Sequence, residues 1–338
     1  MNTITIKEVA KIAGVSVSTV SRVINDMPDV NQQTKLKIRQ IIDEHGYVPN
    51  ATAKTLKQMT TNIIGVVVKG ISNPFFVPIV ERIQLEINKT KYIPLVHYID
   101  ESDDEVLAAS SLVTEKKALG IIFLGGNPQA KMKTVTRLKV PCVLATLSIK
   151  APEHKNISCV GVNDAEAAGK AIDYLIDQGH KSIAVLGGRR LAYDLIWDRY
   201  EGIQRSFASH GLSFKDELYI EAMFSLKDAY NAMSCALANK NITFTALFAM
   251  SDLMAIGAMR AIFDHGLKVP DDISVIGFDG IEIAAYYNPP LTTIRQPYEE
   301  IARRSAELIV QNILGENLEQ SIELTTEIVV GASVKKLF

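Results

Sequence analysis

Residues 4–25 read ITIKEVAKIAGVSVSTVSRVIN, and this stretch decides how the N-terminus folds. Ile6, Val9, Ala10 and Ala13 recur at i, i+3, i+4 and i+7, the spacing of one apolar stripe along a helix. Gly14 follows as a turn residue that accepts positive φ without steric cost, and Ser16 can cap a second helix. Val20, Val23 and Ile24 then face back onto the first stripe, leaving Val17, Ser18, Ser21 and Arg22 outward. Two short amphipathic helices joined by so tight a turn form a helix-turn-helix, whose second helix lies in the major groove of DNA. The outward side chains suit that placement. The Arg22 guanidinium can fork onto a guanine, while the short hydroxyls of Thr19 and Ser21 reach the phosphate backbone more readily than base edges. The competing reading, a small helical hairpin packed against another element, leaves that outward chemistry without a purpose.

Working outward, Asn31 can cap a third helix with Ile38, Ile41 and Ile42 on its apolar face, and Gly46 stops it before Tyr47-Val48-Pro49. Asn50 can then cap ATAKTLKQ (residues 51–58), helical in pattern but only about two turns long and interrupted by β-branched Thr52 and Thr55. Such a segment forms a helix only when something holds it; a plain linker, with Leu56 packed on the body, is the other reading. The net charge is only −2, yet residues 1–60 carry eight Lys/Arg against five acids. A basic head on an acidic body fits a chain that touches phosphate at one end.

Residues 5–25 resemble, almost residue for residue, the DNA-binding head of the LacI/GalR family of transcription regulators, and further matches run to about residue 331. The resemblance implies a DNA-contacting set of Thr5, Ser16, Val17, Ser18, Thr19, Ser21, Arg22, Asn25 and Tyr47. It adds Asn50, Ala53 and Leu56 from a hinge helix that pairs with its dimer mate in the minor groove, with Leu56 wedged between central base pairs. It also implies a homodimer on a near-palindromic operator, most often a repressor, controlled by a small molecule expected to be a carbohydrate. Catabolite-control-type regulation through a phosphorylated carrier protein or a purine corepressor is an alternative within the family.

From residue 62 short apolar runs alternate with amphipathic ones: IIGVVV (63–68), IPLVHY (93–98), LGIIFL (119–124), CVLAT (142–146), CVGV (159–162), SIAVLG (182–187), TALFAM (245–250) and SVIGF (274–278). Buried strands alternating with helices predict parallel α/β sheets, too many for one compact unit. The fold class expected is α/β: a three-helix helix-turn-helix head over residues 1–49, a hinge helix and linker over 50–61, and a two-lobed effector-binding domain over 62–338. By resemblance to periplasmic sugar-binding proteins, the chain crosses between lobes near Val162, Thr292 and Thr325. The first lobe is then about 62–161 with 293–324, and the second about 162–291 with 325–338.

In open α/β sheets ligands bind beyond the carboxyl ends of the strands, so the site is read there. After the first run comes KGISNPFF (69–76), where Asn73-Pro74 forces a turn and Phe75 and Phe76 either offer flat apolar faces to a ligand or start a buried helix. Thr146 ends CVLAT as a hydrogen-bonding candidate. Arg199, three residues before Gly202, matches the family's pocket arginine, and Asp279, ending SVIGFD, matches its pocket acid. A surface salt bridge is the ordinary alternative for each. Phe224 is expected to give the second lobe's stacking face, and Ser251, which stands where the family motif usually has asparagine, is expected to contact the effector. Asp252 is left either to cap the next helix or to reach the ligand. Leu195 and Trp197 replace the small polar residues common near the arginine, which suggests a larger or less polar ligand.

Other functions find less support. MNTITIKE has no basic stretch followed by an apolar one, and no apolar run is long enough to span a bilayer, so a cytoplasmic protein is expected rather than a transport-type sugar-binding one. Cys142, Cys159 and Cys235 are too scattered for a disulfide framework or zinc site and are expected as buried reduced thiols. No cofactor, metal site or catalytic residue is expected. Gly187-Gly188 after a strand is a weak phosphate-turn signal, and neither full glycine-rich motif is present.

Overall fold

The structure, a computed structural model, describes residues 4–24, 27, 30–47, 62–70, 73–147, 156–190, 195–239, 243–316 and 320–338. The chain divides into two compact units, residues 1–61 and 62–338.

In the first unit, α1 (Ile6–Ala13) opens on Thr5, whose backbone N–H and hydroxyl donate to the Glu8 carboxylate at 2.6 and 2.9 Å. Gly14, at φ +72°, ends the helix, and the N–H of Val15 returns to the Ala10 carbonyl. Next, α2 (Val17–Ile24) is capped by Ser16, whose hydroxyl accepts the Thr19 N–H at 3.2 Å. Asn31 caps α3 (Gln32–Glu44) through the Gln33 N–H at 2.8 Å. Val9, Ala10, Ala13, Val20, Val23, Ile38 and Ile41 close a miniature core, as the apolar stripes require. Asn25, Asn50, Ala53 and Leu56, with the whole expected hinge, lie outside the described residues.

Along the second unit the strands are β1 (Ile63–Lys69), β2 (Ile93–Ile99), β3 (Gly120–Leu124), β4 (Cys142–Ala145), β5 (Ile157–Val162), β6 (Ile183–Gly187), β7 (Tyr219–Glu221), β8 (Ala246–Ala249), β9 (Ser274–Asp279), β10 (Thr292–Arg295), β11 (Ser321–Leu324) and β12 (Glu327–Val329). The helices are α4 (Phe76–Asn88), α5 (Glu105–Glu115), α6 (Met132–Val135), α7 (Asp164–Asp177), α8 (Leu195–Ser209), α9 (Leu226–Ala238), α10 (Asp252–Asp264), α11 (Glu282–Tyr286) and α12 (Tyr298–Leu314). One sheet has the order β11-β5-β4-β3-β1-β2 and is parallel throughout. The other has the order β12-β10-β9-β8-β6-β7, parallel except where β12 runs against β10.

Both faces of each sheet are covered, which is why strands such as β3 and β6 are apolar without alternation. Side-chain direction still alternates: Ile183 and Val185 pack with the α7 and α8 side, Ala184 and Leu186 with the α9 and α10 side. The α7–α8 contact is unusually close. A Cβ at Gly202 would overlap the Ala165 carbonyl oxygen, so the two helix backbones meet where that glycine has no side chain. His180 is fully buried between the Thr245 hydroxyl at 2.9 Å and the Lys335 carbonyl at 3.2 Å, and burial holds its pKa down, the pattern of a neutral core histidine.

Three expectations need correction. Strands β7, β10, β11 and β12 carry no long apolar run. In β10 the buried Thr292 and Thr293 are satisfied by hydrogen bonds, with Gly331 N–H donating to the Thr292 hydroxyl at 3.0 Å. Because β10 pairs with β9 and β12, residues 293–295 belong to the second sheet, and the second crossing comes after Arg295 rather than near Thr292. Cys142 and Cys159 are buried, but Cys235 is exposed, since α9 turns Ala229, Met233 and Ala236 inward instead. Among the described residues no helix is long and apolar enough to cross a membrane, and no group of three His, Cys, Asp or Glu could hold a metal ion.

Candidate functional site

On the first unit, α2 leaves one face to solvent. Val17 is 40% exposed, Ser18 and Arg22 are exposed, and Thr19 and Ser21 are partly covered. Some of the expected contact groups are already engaged locally. The Ser16 hydroxyl lies 2.7 Å from that of Ser18 and 2.8 Å from that of Thr19, and the Thr5 hydroxyl is held by Glu8. These bonds fix the start of each helix and orient short hydroxyls at its N-terminus, where backbone N–H groups and the helix dipole favour phosphate. Tyr47 is half-buried against the miniature core.

Within the second unit, a cavity of about 430 Å³ opens at the carboxyl ends of the strands of both sheets. From the first sheet come Lys69 ending β1 and Gly70 after it, Glu101 after β2, Gly125, Gly126 and Asn127 after β3, and Thr146 after β4, with Asn73, Phe75 and Phe76 from the turn that starts α4. From the second come Gly188 and Arg189 after β6, Ala222, Met223 and Phe224 after β7, Asp279 ending β9, Gln296 after β10, and Leu195, Ile196 and Arg199 on α8. The structure therefore gathers Phe75, Phe76, Thr146, Arg199, Phe224 and Asp279 around one space, as the strand-end reading expected. Phe75 is 4% exposed at the N-cap of α4, Phe76 is its first residue, and each lines the cavity.

Ser251 is a correction. It is 1% exposed and its hydroxyl accepts the Met254 N–H at 3.1 Å as the N-cap of α10, and it does not line the cavity. Asp252 turns away as well. Its carboxylate receives the N–H groups of Gly280 and Ile281, both at 2.8 Å, and the Thr293 hydroxyl at 2.5 Å, so it ties β10 to the turn after β9. Burial, followed by the nearby Asp279 charge, pushes its pKa up to about 8.

At the centre, Asp279 sits at φ +112°, a conformation uncommon for a non-glycine residue, and Thr146 at φ +71°. Two of the strand-end residues on the cavity are thus held in conformations that the surrounding fold must enforce. The Asp279 carboxylate accepts from Gln296 Nε2 at 2.8 Å and from Asn73 Nδ2 at 3.4 Å, the latter reaching over from the first lobe. Burial pushes its pKa up to about 6, against the pull of Arg199 and these donors. Arg199 is 6% exposed; its Nε donates to Asp164 at 2.7 Å and its Nη1 to the Met250 carbonyl at 2.6 Å, and its guanidinium stacks 3.6 Å from the Phe278 ring centroid. It is neither a surface salt bridge nor a free ligand arm, but a buried strut with one edge on the cavity.

Asn73, Gln296, Lys69, Glu101 and Asn127 also line the cavity, without a ligand role expected from the sequence. The signal for Lys69, Glu101 and Asn127 was present, since each follows a recognised strand. Gln296 was hidden because β10 was not recognisable as a strand. Its Oε1 is buried without a hydrogen-bond partner among the described residues.

A helix-turn-helix unit joined to a two-sheet unit with a strand-end cavity defines a ligand-responsive DNA-binding regulator. Residues 5–50 match the model for bacterial regulatory proteins of the lacI family, and residues 172–334 match that for a periplasmic binding protein-like domain. The HTH-type transcriptional regulator MalR of Clostridium butyricum is 38% identical over 327 residues, covering 96% of this chain and 97% of MalR. The solved complex of the transcriptional regulator CelR with cellobiose superposes with a TM-score of 0.72 at 27% identity, covering 98% of this chain and 99% of that one. The lac repressor dimer bound to operator and the anti-inducer ONPF gives 0.77 at 26% identity, covering 99% of this chain and 100% of that one. The chain belongs to the lacI family of bacterial regulatory proteins, and it is a helix-turn-helix transcriptional regulator.

Proposed function

We propose that this protein is an effector-controlled repressor that binds a near-palindromic operator as a homodimer and takes a sugar or sugar derivative in the cavity between its two sheets. In this reading residues 1–49 read DNA, 50–61 act as hinge, and 62–338 sense the effector. Arg22 reads a base edge, and Thr5, Ser16, Thr19, Ser21, Asn25 and Tyr47 position the head on phosphate. Val17 and Ser18 approach the groove floor, and Asn50, Ala53 and Leu56 engage the minor groove. The observation that carries the effector half is the hydrogen bond from Asn73 to Asp279, because it joins the two lobes through the cavity's own acid. A ligand with hydroxyl donors there changes how the lobes meet. That change can shift DNA affinity only by as much as the ligand's affinity differs between the two arrangements. Phe75, Phe76 and Phe224 supply the flat apolar faces that sugar rings favour, and the CelR structure named above holds cellobiose in a homologous fold.

The test is selection of a binding site from genomic DNA followed by gel retardation with and without a panel of saccharides. A twofold-symmetric site whose retention changes with one saccharide supports the proposal. A site unaffected by any saccharide but released or tightened by a purine or by a phosphorylated carrier protein replaces it.

A further inference from the structure

The charges around the cavity are arranged to refuse anions. Among the described residues three cations line it: Lys69, Arg189 and Arg199. Arg199 is committed to Asp164 and lies beside Asp279, so this buried centre holds one guanidinium against two carboxyls. Arg189 is at the mouth, 76% exposed, and pairs with Glu221 at 3.5 Å. Lys69 faces the cavity from the end of β1, where an uncompensated ammonium would make a phosphate or carboxylate site. Its Nζ, however, donates to Glu105 at 2.8 Å and to the Asp103 carbonyl at 2.7 Å. Glu105 is 3% exposed, and its other oxygen accepts the Asn127 N–H at 3.1 Å, so the acid is fixed in place. Glu101 adds a further carboxyl on the same wall, its pKa raised by burial and then by the nearby Asp228 charge. Each lining cation thus has its own acid, and Glu101 and Asp279 remain as acceptors for hydroxyl donors.

We propose that the effector is an uncharged saccharide, that phosphorylated and carboxylated sugars are discriminated against, and that Glu105 sets this selectivity by neutralising Lys69. The inference rests on the sugar reading above and narrows it to one charge class. An anion entering the cavity at neutral pH would meet the Asp279 carboxylate and find each lining cation already paired with an acid, and in a low-dielectric cleft such a like-charge contact is poorly screened.

The experiment is calorimetric titration of the full chain with matched pairs: glucose and glucose 6-phosphate, cellobiose and its 6′-phosphate, maltose and its 6′-phosphate. The expected result is that any pair that binds does so at least about tenfold more tightly as the neutral member. The isosteric Glu105→Gln variant, with its thermal midpoint measured to confirm folding, should tighten the phosphorylated member by about tenfold, because Lys69 is then uncompensated. Adding Lys69→Gln to it should abolish that gain, which locates the effect on the lysine rather than on a general loosening. A phosphorylated sugar that binds the unmodified protein more tightly than its neutral partner overturns the charge inference while leaving the sugar reading intact. If no saccharide of either kind binds but an anionic purine nucleotide does, both fall. Glu105→Gln folded but without effect on the phosphorylated sugars overturns the role of Glu105.

Discussion

Replacing Arg199 with methionine removes a charge that the second lobe needs for its own integrity. The guanidinium is 6% exposed and bonded to Asp164 at 2.7 Å and to the Met250 carbonyl at 2.6 Å, while Asp164 and Asp279 beside it are 7% and 4% exposed. Methionine fills much of the same volume over the Phe278 ring but leaves two buried carboxyls without this cation. Breaking a buried pair by removing one partner costs about 3–5 kcal/mol, so a loss of about 3 kcal/mol is expected at neutral pH. The loss should shrink on acidification. Asp279 already titrates near 6 because of burial, and without Arg199 it holds its proton to still higher pH, which removes the unpaired charge. Trp197 is the one tryptophan in the chain and lies on α8, so urea denaturation followed by its fluorescence reports on this lobe. A loss below about 1 kcal/mol at pH 7.5, or one that grows toward pH 5.5, would show that the arginine is not the strut described. A failed effector response in this variant is consequently expected, but it speaks to folding as much as to ligand contact.

The remaining predictions separate structural from ligand-facing groups. Ser251→Ala should cost roughly 1 kcal/mol in thermal denaturation by removing a helix cap, with saccharide affinity unchanged, since its hydroxyl serves the Met254 N–H. Gly202→Ala should cost several kcal/mol because the new methyl meets the Ala165 carbonyl, whereas Gly211→Ala, which meets open space at φ +68°, should cost only about 1 kcal/mol. Asp279 in the free protein is protonated below about pH 6, and a ligand whose hydroxyls donate to it prefers the charged form. Binding should therefore release protons and tighten as pH rises from about 5 to 7; calorimetry in two buffers of different ionisation enthalpy reads this, and affinity that weakens over that range refutes it. Arg22→Ala should weaken operator binding by roughly 1–3 kcal/mol and flatten preference at one base pair of each half-site in a binding assay across single-base variants. Equal weakening on all sequences would assign it to phosphate instead.

Features that rest on local periodicity are legible in the residues alone. The stripes Ile6, Val9, Ala10, Ala13 and Val20, Val23, Ile24 specify two helices and the faces they bury, and Gly14, Ser16 and Asn31 specify where helices end and begin, because caps and turns depend on neighbouring residues alone. Long apolar runs likewise announced eight strands, since a strand covered on both faces is apolar throughout, although the edge strand β2 leaves Ile93 and Tyr98 exposed. What needed the tertiary structure was every feature whose stabilising partner is distant along the chain. Strand β10 buries Ile294 but sets Thr292 and Thr293 on Gly331 and Asp252, so it carries no long apolar run and the crossing after Arg295 was misplaced. Arg199 was recognisable as a pocket residue, but its pairing with Asp164, 35 positions away, decides that it is a strut as well. Ser251 had the chemistry of a ligand contact and became a cap because α10 begins there. The charge of the cavity was equally invisible, since whether Lys69 attracts an anion depends on Glu105, 36 residues on, and only the folded chain brings the two within 2.8 Å.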